Sequence, residues 1–91
     1  MKLDDFIDQN GTARSAEAGV HLFRQGDPDR SLYIVVSGLL KAYYLSTDGK
    51  ENIKSFILAG DNIGSLSAIH GGDTCTFSLV CLKPCELVVL Q

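Results

Sequence analysis

"LFRQGDPDRSLYIVVSGLLKAYYLSTDGKE", residues 22–51, decides how the rest of this chain is read. It holds three β-rich runs separated by turn signals. Val20 to Arg24 forms the first run, closed by Gly26-Asp27-Pro28, and Leu32 to Val36 forms the second, closed by Ser37-Gly38. Leu39 to Leu45 follows. Leu40, Ala42 and Tyr44 fall on one face and Lys41 and Tyr43 on the other, because successive strand side chains point to opposite sides. Thr47-Asp48-Gly49-Lys50 predicts a tight hairpin, since Asp-Gly supplies positive φ at little steric cost. Asn52 to Leu58 is then the returning strand. Short strands with turns at this spacing predict a sandwich or a barrel.

On the N-terminal side, Leu3, Phe6 and Ile7 have helical spacing with Asp4, Asp5 and Asp8 between them. They predict a short amphipathic helix over residues 2–9, within a lead-in of residues 1–10, ended by Asn10-Gly11. On the C-terminal side, Ala59-Gly60-Asp61 turns the chain again. Thr76 to Leu82 and Glu86 to Leu90 are two last strands joined by Lys83-Pro84, where a proline fits a strand junction. Between them lies "DNIGSLSAIHGGDTCTF", residues 61–77, with a stretch of helical character between glycine turns. A helix start behind a glycine attracts anions through its free N–H groups. This stretch nevertheless contains no lysine and no arginine.

A chain of 91 residues allows one small domain, here residues 1–91 with residues 12–91 as its β part. The apolar share of 45% suits a globular core, and the net charge of −3 excludes nucleic-acid binding through a general basic surface. No apolar run reaches membrane-spanning length, which predicts no membrane association. The N-terminus carries acids where a signal peptide carries bases, so the expected location is the cytoplasm. The three cysteines, Cys75, Cys81 and Cys85, read as buried or half-buried thiols rather than as a disulfide framework. His21 sits among apolar neighbours as a strand residue, and His70 precedes Gly71-Gly72 as an exposed turn residue.

The glycine series Gly19, Gly26, Gly38, Gly49, Gly60 and Gly64, with "GDPDRSLYIVVSG" (26–38) and "LAGDNIG" (58–64), resembles the cyclic nucleotide-binding domain of the Crp/Fnr regulators. The resemblance covers nearly everything from Gly19 to Leu90. It implies a mainly β fold: an eight-stranded antiparallel β-roll of jelly-roll type, the double-stranded β-helix, with short helices at the N-terminus and in the phosphate-binding cassette. In relatives that bind cyclic nucleotides the cassette reads roughly Gly-Glu-Leu, several residues, then Arg-Ser or Arg-Thr. The glutamate holds the ribose hydroxyl and the arginine meets the cyclic phosphate. Laid on that pattern without a gap, Gly64 and Leu66 match, Ser65 replaces the glutamate, Cys75 replaces the arginine and Thr76 keeps the hydroxyl.

The ligand-binding candidates are therefore Gly64, Ser65, Leu66, Cys75 and Thr76, with no catalytic and no metal residue. The resemblance implies a cyclic nucleotide as cofactor, yet the two most specific contacts are absent, and the expected reading is a degenerate pocket with an unassigned small-molecule effector. Cluster-forming relatives carry most of their cysteine ligands near the N-terminus, and residues 1–30 here contain none. The implied function is non-catalytic: the sensing part of a transcription regulator. Homodimer formation through a long helix and DNA binding through a helix-turn-helix would both belong to a segment beyond Gln91. The alternatives are a stand-alone or channel-associated nucleotide-binding module and a cupin-like metal-binding protein. The isolated His21 and His70 and the lack of an H-x-H pair weigh against the last.

Overall fold

The computed structural model of the chain describes residues 9–65 and 74–90. Gln9 and Asn10 have helical backbone. The remainder of the expected N-terminal helix, and the expected cassette helix, lie outside the described residues, as do Leu66 and His70.

Eight strands follow: β1 (Thr12–Ala16), β2 (His21–Phe23), β3 (Leu32–Ser37), β4 (Leu39–Leu45), β5 (Glu51–Leu58), β6 (Asn62–Ile63), β7 (Ser78–Cys81) and β8 (Cys85–Leu90). They form two four-stranded antiparallel sheets in the orders β1-β8-β3-β6 and β2-β7-β4-β5. Consecutive strands mostly belong to opposite sheets, so the chain crosses between layers at most of its turns, the β4–β5 hairpin at Gly49 being the exception. This is the β-roll that the resemblance implies.

The core lies between the sheets. Leu40, Ala42, Leu79 and Cys81 from one sheet meet Tyr33, Val35, Leu87 and Cys85 from the other, with Phe23 and Phe77 stacked edge to face at 5.2 Å. Alternation fixes this arrangement, because a one-residue slip would send each apolar set to the solvent face. Leu40 and Leu79 have no exposed surface, so cutting either to alanine removes about 2–5 kcal/mol.

The strands foreseen from residue 20 onward lie within about two residues of their expected bounds. Two strands carry no comparable signal in the sequence. In β1, "TARSA" has four exposed residues and buries only Ala16, so no apolar alternation marks it. It exists because its backbone completes the ladder of β8, from Thr12 opposite Val89 to Ala16 opposite Cys85. The other, β6, has two residues, too few for any periodicity.

One facing differs from expectation. Leu40 and Ala42 are buried, but Tyr44 is exposed. Pairing of β4 with β7 ends at Tyr43 opposite Ser78, whereas pairing with β5 continues to Leu45 opposite Glu51. The hairpin therefore runs past the end of β7, its neighbour in the same sheet, and Tyr44 stays exposed. A bulge between Ala42 and Tyr43 adds local twist just before that point.

The β3–β4 corner requires a glycine. Gly38 has φ +109°, and a Cβ there would stand 2.5 Å from the Cys85 sulfur and 2.7 Å from the Pro84 carbonyl oxygen. Both the conformation and the space exclude a side chain.

Candidate functional site

The cassette is assembled where the end of β6 meets the segment leading into β7. Asn62 and Ile63 pair with Ile34 and Tyr33, which sets Gly64 and Ser65 at the rim of the β1-β8-β3-β6 sheet. At the other end, the Cys75 N–H donates to the Asp27 carbonyl (2.7 Å) and the Gly26 N–H donates to the Cys75 carbonyl (2.8 Å). The Gly26-Asp27-Pro28 turn, read above only as the end of a strand, is thus the dock for the cassette's last residues. Asp27 shapes that turn by accepting a bond from the Arg24 N–H at 2.8 Å.

Ser65 and Cys75, the residues standing in place of the family's glutamate and arginine, are brought together. Both are almost fully buried, at 1% and 2% exposure, and the Ser65 hydroxyl lies near the Cys75 thiol. The Ser65 hydroxyl has no hydrogen-bond partner among the described residues. The Cys75 thiol also donates to the Asp29 carbonyl at 3.4 Å. Burial raises the thiol's pKa above its ordinary value. The thiol therefore stays protonated at neutral pH and supplies neither charge nor nucleophile. A charged pair in the family's pattern corresponds here to a small neutral pair packed into the wall.

Thr76 is exposed and Phe77 is buried in the core. Over the Phe77 ring, 4.8 Å from its centre, stands the Lys54 ammonium. Sequence reading did not single out Lys54. It belongs to the neighbourhood of the bulge, where Tyr43 pairs with Ile53 and Ala42 with Ser55, leaving Lys54 without a cross-strand partner. Bulges are not legible in a single sequence.

His21 begins β2, as expected of a strand residue. Its Nε2 lies 2.7 Å from the Tyr43 hydroxyl, while Nδ1 is buried without a partner. Burial, with Arg24 and Lys41 nearby, lowers its pKa and keeps the ring neutral. All three cysteines are buried free thiols. Cys85 donates to the Lys83 carbonyl at 3.1 Å, and burial together with the neighbouring Cys85 thiol pushes Cys81 up to about 12. Among the described residues no helix is long and apolar enough to cross a membrane.

With this geometry in place, comparison with known proteins gives concordant results. The family profile described as "Cyclic nucleotide-binding domain" matches residues 13–91. The Fumarate and nitrate reduction regulatory protein of Vibrio cholerae is 37% identical over 96% of this chain and 36% of its own length. Electron transport regulator A of Shewanella oneidensis is 34% identical over the same shares. The Catabolite Activator Protein of Thermus thermophilus superposes with a TM-score of 0.87 at 26% identity, covering 96% of this chain and 40% of that one. The chain thus spans little more than a third of the length of the relatives it matches.

Proposed function

This chain belongs to the cyclic nucleotide-binding domain family, in its Crp/Fnr form, and from that premise we propose that it is the effector-sensing part of a transcription regulator whose cyclic nucleotide cassette no longer carries its charged contacts. The observation that carries this reading is the buried neutral pair Ser65–Cys75. A cyclic nucleotide brings a phosphate charge and a ribose hydroxyl, and each meets an uncharged wall here. A hydrogen bond to a charged group contributes about 1.5–3 kcal/mol, so losing the arginine contact alone lowers affinity roughly tenfold to over a hundredfold. Of the remaining cassette candidates, Gly64 offers close backbone approach, Leu66 apolar contact and Thr76 a hydroxyl. Dimer formation, DNA contact and a cytoplasmic setting are proposed for the whole regulator. The sensing role is a shift between two states that an effector contacts unequally.

The test is thermal melting of the chain with cyclic AMP and cyclic GMP at millimolar concentration, since a ligand that binds only the folded state raises the melting temperature. The unmodified chain is expected to show almost no shift. The double variant Ser65→Glu with Cys75→Arg is expected to show a larger shift than either single variant. A large shift with the unmodified chain would overturn the reading. So would a folded double variant that gains nothing.

A further inference from the structure

A cavity opens between the β1 and β8 edge of one sheet and the loop that joins β2 to β3, the loop on which Cys75 docks. It measures about 520 Å³. Leu22 and Val89 form apolar walls, Arg14 and Thr12 stand on the β1 side, and Asp29 and Tyr33 stand on the other. The register explains how polar side chains come to line it. Thr12 lies opposite Val89 and Arg14 opposite Leu87, and both partners are core residues, so these two positions of β1 share the core face while remaining exposed at its rim.

The charges in this cavity are not matched within the protein. Among the described residues the one ion pair is Lys41–Glu51, on the far hairpin. The Arg14 guanidinium has no hydrogen-bond or ion-pair partner among them, although its field reaches the Tyr33 hydroxyl. Asp29 is held rigidly, its Oδ1 accepting from the Ser31 N–H at 2.8 Å and its Oδ2 from the Tyr33 hydroxyl at 2.6 Å. Each carboxylate oxygen keeps a further acceptor position. A cation and a carboxylate thus face one cavity without meeting each other. A simple anion bound at Arg14 would feel Asp29, and a simple cation bound at Asp29 would feel Arg14. A ligand carrying both charges satisfies both ions at once.

We propose that this cavity binds a small zwitterion of the α-amino acid type, its carboxylate on Arg14, its ammonium on Asp29 and an aliphatic side chain against Leu22 and Val89. This goes beyond the sensing role argued above and uses no cassette side chain. Asp29 is a rigid acceptor because Tyr33 and Ser31 fix its orientation, so little ordering is needed on binding. Arg14 is suited to a carboxylate through its planar fork of donors.

The experiment uses the 15N-labelled chain and three probes of one shape: L-leucine, 4-methylpentanoate, which lacks the ammonium, and 3-methylbutylamine, which lacks the carboxylate. Saturable amide shifts at Thr12, Ala13 and Ser31 are expected with L-leucine, at an affinity about tenfold or more above that of either single-charge probe. Arg14→Gln, an exposed change with no internal partner to break, is expected to weaken leucine binding about tenfold and to abolish its advantage over the amine. Absence of saturable shifts with L-leucine overturns the proposal. Equal binding of L-leucine and 4-methylpentanoate also overturns it, since that outcome makes the site an anion site. Unchanged leucine affinity in a folded Arg14→Gln variant does the same.

Discussion

Two regions of this roll carry dense polar contacts and hold them differently. The β4–β5 hairpin is dressed with exposed groups. The Ser46 hydroxyl donates to the Asp48 carboxylate, the Lys50 N–H leans on the same carboxylate, and Lys41 pairs with Glu51 at 3.0 Å. The cassette dock, where Cys75 meets the Gly26–Ser31 loop, relies on backbone bonds and on buried or half-buried side chains. Water can replace any hairpin contact at little cost, whereas the dock's groups have no such substitute when a partner is removed. The hairpin is thus tolerant and the dock is not, although both look alike as lists of hydrogen bonds.

The sharpest way to break this contrast is to put a charge into the dock. Cys75→Arg alone is expected to destabilise the chain by about 3–5 kcal/mol in urea unfolding, because a large cation would have to occupy a 2% exposed position. Adding Ser65→Glu is expected to recover part of that loss, a coupling that a double-mutant cycle measures directly. Independent, additive effects would mean that the two side chains do not meet.

Tyr33→Phe comes next. It leaves Asp29 Oδ2 without its 2.6 Å donor in a half-buried place, with an expected cost of about 1–3 kcal/mol. The pH dependence is smaller near neutrality and has two limbs. Tyr33, raised to about 12 by burial and by Asp29, and Cys81, raised to about 12, both favour the protonated form in the folded state. Their contribution is complete below the ordinary thiol and phenol values and is lost as pH rises from about 9 toward 12. His21 acts in the opposite sense. Its lowered pKa favours the neutral ring, so stability is lost as pH falls below about 6.5. Melting curves from pH 4 to 11 are expected to fall at both ends, and His21→Gln is expected to flatten the acid limb. The smallest effect belongs to the hairpin: Lys41→Ala is expected to change stability by about 0–1 kcal/mol, and 0.5 M salt to remove most of that change.

How much of this was legible in the sequence follows from the same contrast. Runs such as Leu39 to Leu45 announce themselves because burial imposes a period on the residues. The hairpin turn announces itself because Gly49, at φ +81°, has few substitutes. The strand Thr12 to Ala16 was silent because an edge strand bonded through its backbone places little demand on side chains. For the same reason Arg14 and Asp29 went unremarked, being distant in sequence and joined only through the β1-β8-β3 strand order. In the cassette, the identities at 65 and 75 were readable, but their burial and mutual contact were not. The dock under Cys75 depends on carbonyls, which every residue possesses.

The three sulfurs also make the molecule a recorder of its own openings. Cys75, Cys81 and Cys85 are each at most 2% exposed, and none is tied to another covalently. A thiol reagent can reach them only when the surrounding structure parts, so the rate of alkylation at each sulfur counts the openings of its own neighbourhood. Cys75 times the release of the cassette from its dock, whereas Cys81 and Cys85 time the parting of the corner beneath Gly38. Mass spectrometry of single-site adducts would read both clocks in one tube, without a substitution, and would tell which of the two seams yields first.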